Sequence, residues 1–182
     1  MADINKFELG GVNKFEMGAV GANGIMGSVL TQYLGIKEGT FTFSIAAPSA
    51  TDINIEESDF AYTQQLSGSP KSFTFELFGL HLSDLPDFLG GTFTPGVGGT
   101  KDRWKAPSAI PNIIKSIAIT SVDGDGNVGV YNYVKCRIYA EQTQTATKTD
   151  LIGLQVTASI LQPVDASGDP TTPYYVDGET IA

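Results

Sequence analysis

Few side chains here are equipped for chemistry, so each can be tested against what its chemistry requires. His81 is the one histidine and Cys136 the one cysteine. A nucleophile needs a base and an orienting acid converging on it, and the residues around His81 supply no such pattern. One histidine excludes two-histidine metal motifs, and one cysteine excludes an intramolecular disulfide framework or a multi-thiolate site. Cys136 falls between Val134 and Ile138 in an apolar alternation, where a thiol acts as a small hydrophobe. The run Asp123-Gly124-Asp125-Gly126-Asn127 spaces three oxygen ligands alternately. An EF-hand loop also needs glycine at its sixth position and an acid at its twelfth. Val128 and Val134 stand there instead, so the run reads as a tight turn rich in residues that accept positive φ. The glycine-rich stretch 90–99 lacks the strand, lysine and following helix of a phosphate-binding loop. The remaining cluster is acidic: Asp52, Glu56, Glu57 and Asp59. It reads either as a solvated strand edge that discourages sheet extension or as a repulsive surface past which a polyanion moves. The sequence favours no enzyme, metal or cofactor.

The composition sharpens those exclusions. The chain has 182 residues, with 11 Lys+Arg against 20 Asp+Glu, for a formal charge of −9. That length buries about 70% of its unfolded surface, enough for one core. The acidic balance opposes a nucleic-acid grip, which requires a concentrated basic surface. Met1-Ala2-Asp3-Ile4-Asn5-Lys6 carries charge where a signal peptide has an apolar run, and no stretch approaches the roughly 18 apolar residues of a membrane helix. The expectation is therefore synthesis in a reducing compartment, with no membrane insertion.

The elements that position these residues are mostly strands. Asn5-Lys6-Phe7-Glu8-Leu9-Gly10-Gly11 recurs as Asn13-Lys14-Phe15-Glu16-Met17-Gly18-Ala19. Two copies are too few for a solenoid, so residues 1–35 read as a Gly-rich arm or hairpin preceding one β domain over 36–182. Period-two alternation predicts strands at Thr40–Ile45, Asp52–Glu56 and Ser72–Leu77. Ser83–Leu89 is the one helical candidate, with Ser83 as its cap and Gly90-Gly91 as its stop. A Gly/Pro-rich loop containing Trp104 should follow, from Gly90 to about Ala106, ordered only by a partner. Strands are then expected over Ile113–Ser121, Val128–Tyr139 (reaching as far as Thr147) and Leu151–Leu161, and the tail after Pro163 should lie extended on the surface. The sum is an all-β domain, a sandwich or a barrel, with one short helix.

The order of these features resembles the major tail tube proteins of long-tailed bacteriophages. The likeness rests on Pro48-Ser49-Ala50-Thr51-Asp52-Ile53-Asn54-Ile55-Glu56-Glu57, Ser72-Phe73-Thr74-Phe75-Glu76-Leu77 and Phe88-Leu89-Gly90-Gly91. It continues in Lys115-Ser116-Ile117-Ala118-Ile119, Asp150-Leu151-Ile152-Gly153-Leu154-Gln155-Val156-Thr157 and Ile160-Leu161-Gln162-Pro163. It covers residues 36–176 and leaves the doubled Asn-Lys-Phe-Glu segment unmatched. The resemblance implies a β-sandwich flanked by a helix, polymerising as stacked hexameric rings into a hollow virion tube assembled in the host cytoplasm. Its implied partners are further copies of itself, the tape measure protein, and tail terminator and tail-tip proteins, while DNA passes through unbound. It would place Asp52, Glu56, Glu57 and Asp59 at the lumen or a subunit junction, and Gly96, Gly98, Gly99 and Trp104 in an inter-ring loop. The rival is a monomeric β-sandwich binding module, a virion decoration or cell-surface domain, using Trp104, Tyr174 and Tyr175 as a carbohydrate platform.

Overall fold

A computed structural model describes residues 11–45, 49–53, 63–68, 71–122, 126–143 and 153–179. The protein is all-β. In chain order the strands are β1 (Gly11–Gly18), β2 (Leu30–Tyr33), β3 (Thr42–Ile45), β4 (Ser49–Ile53), β5 (Thr63–Ser67) and β6 (Lys71–Leu77). After helix α1 (Leu85–Leu89) come β7 (Thr92–Thr94), β8 (Arg103–Lys105), β9 (Ile113–Val122), β10 (Val128–Thr143), β11 (Gly153–Ile160) and β12 (Tyr174–Glu179). Among the described residues no helix is long and apolar enough to cross a membrane.

Eight strands form one antiparallel sheet in the order β2-β1-β9-β10-β11-β6-β3, with β12 attached to β10. The alternation in the sequence sets its inner face. Phe73, Phe75 and Leu77 of β6 stand opposite Ala158, Val156 and Leu154 of β11, and all six are buried. On the other flank Phe15 and Met17 of β1 face Ile119 and Ile117 of β9. Each buried aromatic or aliphatic side chain contributes about 1.5–3 kcal/mol. β10 joins the two flanks through a bulge between Tyr133 and Cys136. One extra residue reverses which side chains point inward, so Tyr133 and Cys136 both reach the core although three positions apart. At this bulge β10 also changes partner, from β12 to β11.

The sheet rolls up rather than lying open. β1 and β6 are separated by three strands in the sheet order, yet the Phe15 and Phe75 rings lie 4.8 Å apart. Just beyond β2, Ile36 bridges Leu77, the Lys37 N–H donates to Glu76 O at 2.9 Å, and the Phe78 N–H donates to Gly35 O at 2.8 Å. A barrel therefore closes along a short seam. Gly35 is obligatory there: its φ is +94°, and a Cβ would stand 2.3 Å from the Phe78 carbonyl oxygen.

Three expectations need correction. The helix starts at Leu85 and not Ser83, whose hydroxyl donates to Asp84 Oδ1 instead of capping the helix. The stretch 90–106 is not a structureless loop, since β7 and β8 pair within it. The tail after Pro163 returns to the sheet as β12, because Tyr174–Glu179 pair with the exposed edge of β10. Residues 11–33 hold β1 and β2, with β1 inserted between β2 and β9. The second Asn-Lys-Phe-Glu copy is thus wall of the barrel, while the first lies outside the described residues. So does the proposed extension of β10 over 144–147.

Candidate assembly interface

Two hairpins lie outside the main sheet, and they hold Asp52, Gly96, Gly98, Gly99 and Trp104. The first is β7–β8. Gly90, at φ +70°, ends α1 and turns the chain outward. Phe93 then pairs with Trp104, whose indole N–H donates to Gly90 O at 2.9 Å and ties the hairpin base to the helix. At the tip the Gly96 N–H donates to Asp102 Oδ1 at 2.8 Å and the Val97 N–H to Thr100 Oγ1 at 2.7 Å. Gly98 and Gly99 take φ of +62° and +88°, a region that side chains with a Cβ rarely adopt. The turn leaves Val97 79% exposed. Gly96, Gly98, Gly99 and Trp104 are thereby brought into one ribbon.

That ribbon is basic in an acidic protein. Lys101, Arg103 and Lys105 are all exposed and line a shallow recess of about 600 Å³ with Thr94 and Pro95. None of the three pairs with a carboxylate among the described residues. Asp102, the acid between them, is occupied by the Gly96 amide.

The second hairpin, β4–β5, runs from Ser49↔Ser67 to Ile53↔Thr63, with Asp52 opposite Gln64. Among the described residues it bonds to no other strand. Glu56, Glu57 and Asp59 fall in its connection, outside the described residues. The sequence of that end is one-sided in charge: residues 52–59 contain four acids and no base. Of the four acids only Asp52 lies among the described residues, and it and the Gly/Trp ribbon belong to separate two-stranded sheets.

The chemistry-bearing residues are dispersed. Cys136 is fully buried, and burial pushes its thiol up to about 12. His81 is exposed, and its backbone N–H donates to Asp84 Oδ2 at 3.1 Å. Trp104 is half-buried, Tyr174 packs on Tyr133 at 6.1 Å, and Tyr175 points to the opposite face of β12, so these three rings share no flat platform. The sequence reading missed a charged clamp that fixes α1 on the barrel. Asp87 accepts from the Tyr33 hydroxyl at 2.8 Å and from Lys115 Nζ at 2.6 Å. Burial, then the Asp87 carboxylate, raises the Tyr33 phenol above its ordinary range. The clamp joins residues 54 and 28 positions apart, and no local pattern marks it. No protein-family model matches the chain, and no curated protein matches it.

Proposed function

We propose that this chain is a structural subunit that polymerises, as stacked rings, into the hollow tail tube of a long-tailed bacteriophage. The observation that carries the reading is a pair of two-stranded ribbons outside the main sheet, one bearing Lys101, Arg103 and Lys105 and the other joined by a segment whose sequence is acidic. An isolated two-stranded ribbon is marginal in water, and an unpaired strand edge seeks a partner. The acidic β4–β5 end and the basic β7–β8 ribbon lie on separate elements of one subunit. Contact between unlike patches is heterologous, and it propagates into rings or filaments instead of stopping at a dimer.

The net charge of −9 suits a conduit, because a surface poor in cations does not hold a passing polyanion. In this reading the subunits meet one another, the tape measure protein and the tail-end proteins, and the wall performs no reaction. Negative-stain electron microscopy of the purified full chain, beside size-exclusion chromatography over a concentration series, tests it. Rings or tubes growing with concentration are expected. A monomer at every concentration would sink the reading and favour the binding-module alternative.

A further inference from the structure

The doubled segment at the N-terminus has a use that the barrel itself reveals. β1 is the near copy of the repeat, and its slot between β2 and β9 makes specific demands. Val12 packs against the core, and Phe15 and Met17 are fully buried. Lys14 and Glu16 pair at 2.8 Å on the other face. Gly18 lies so close to β2 that a Cβ would stand 2.1 Å from the Val29 carbonyl oxygen. Eight residues upstream the sequence meets each demand in turn: Ile4 for Val12, Phe7 for Phe15, Leu9 for Met17, Lys6 and Glu8 for the ion pair, and Gly10 for Gly18. The shift is even, so every side chain keeps its face of the sheet.

We propose that residues 4–10 are a second plug for this slot, donated to the barrel of another copy of this chain. Tether length selects the neighbour over the donor's own barrel. The near copy reaches β2 through residues 19–29, which extend at most about 37 Å at ~3.4 Å per residue. The far copy has residues 11–29, spanning about 65 Å. A compact chain of this size is about 40 Å across. The near tether falls short of a neighbour's slot and the far tether exceeds the distance. Within one chain the far copy closes a longer loop and is disfavoured about twofold, so it has no advantage at home. Each exchanged chain uses its near copy as spacer while the next chain fills its slot. The inference does not depend on what the assembly conducts.

Register supplies the test. Glu16 stands opposite Gln32 of β2, so a donated segment puts Glu8 there. Chains carrying Glu8→Cys are co-refolded with size-tagged chains carrying Gln32→Cys and then oxidised. Native Cys136 is buried. A disulfide-linked pair of unequal chains is expected, and adding Phe7→Asp should abolish it while the barrel still folds on its near copy. Absence of the mixed pair overturns the proposal, as does a link that survives Phe7→Asp. A link formed only within a single chain carrying both cysteines overturns it as well.

Discussion

Reversing the charge of the β7–β8 ribbon separates assembly from folding. Replacing Lys101, Arg103 and Lys105 by Glu lowers Lys+Arg from 11 to 8 and raises Asp+Glu from 20 to 23, which moves the formal charge from −9 to −15. The three side chains are exposed and have no carboxylate partner among the described residues. Subunit stability should therefore change by no more than about 0.5 kcal/mol. Each solvent-screened pair lost at a junction is worth about 0.2–1 kcal/mol. Three attractions turned into three repulsions amount to about 2–4 kcal/mol, or roughly 30- to 1,000-fold in the association constant. Sedimentation velocity on the parent and the variant reads this directly. Adding about 1 M salt to the parent should mimic the variant in part, because the Debye length falls to about 3 Å. Combining the triple variant with Glu56→Lys, Glu57→Lys and Asp59→Lys should restore association. A triple variant that assembles like the parent at low salt, with unchanged melting, would refute opposite-charge docking.

Other perturbations test the barrel. Gly35→Ala puts a Cβ against the Phe78 carbonyl at a φ of +94° and should cost about 1–3 kcal/mol, read as a lowered urea midpoint. Asp87→Ala leaves Lys115 without its partner and should cost about 1–3 kcal/mol; Asp87→Asn, which still accepts from Tyr33, should cost less. Alkaline titration has a definite sign. The Cys136 thiol is raised from 9.0 to about 12, so the unfolded chain ionises first. Its contribution is complete below pH 9 and is lost as pH rises from 9 towards 12, with Tyr33 and Tyr133 acting in the same sense. Cys136→Ala should flatten part of that decline in chemical denaturation across this range.

What could be read in advance was what period and turn chemistry encode. β6 and β11 announce themselves because one face is buried and the side chains alternate, as in Phe73, Phe75 and Leu77. The helix was visible through Pro86 and Gly90, but its first residue was not, since Asp84 spends its carboxylate on the His81 amide. β12 was hidden: Tyr174–Glu179 carry little alternation, and the edge of β10 decides their conformation. The short strands β7 and β8 were masked by the glycines between them, and β5 (Thr63–Ser67) by its polar residues. The basic face of the ribbon went unread because Lys101, Arg103 and Lys105 acquire meaning only when a hairpin lines them up. The Asp87 clamp depends on contacts that only the closed barrel creates.

The seam between Gly35–Lys37 and Glu76–Phe78 gives the wall a weakest line. Every other junction in the cylinder is a run of paired residues, whereas here a single bridge, made by two backbone hydrogen bonds, closes the circumference beside the Lys37–Glu76 ion pair. Strain on the wall concentrates where the fewest bonds resist it, so the cylinder unzips there first and bares the Phe15–Phe75 contact. The amides of Lys37 and Phe78 then exchange with solvent before those of β9 and β10.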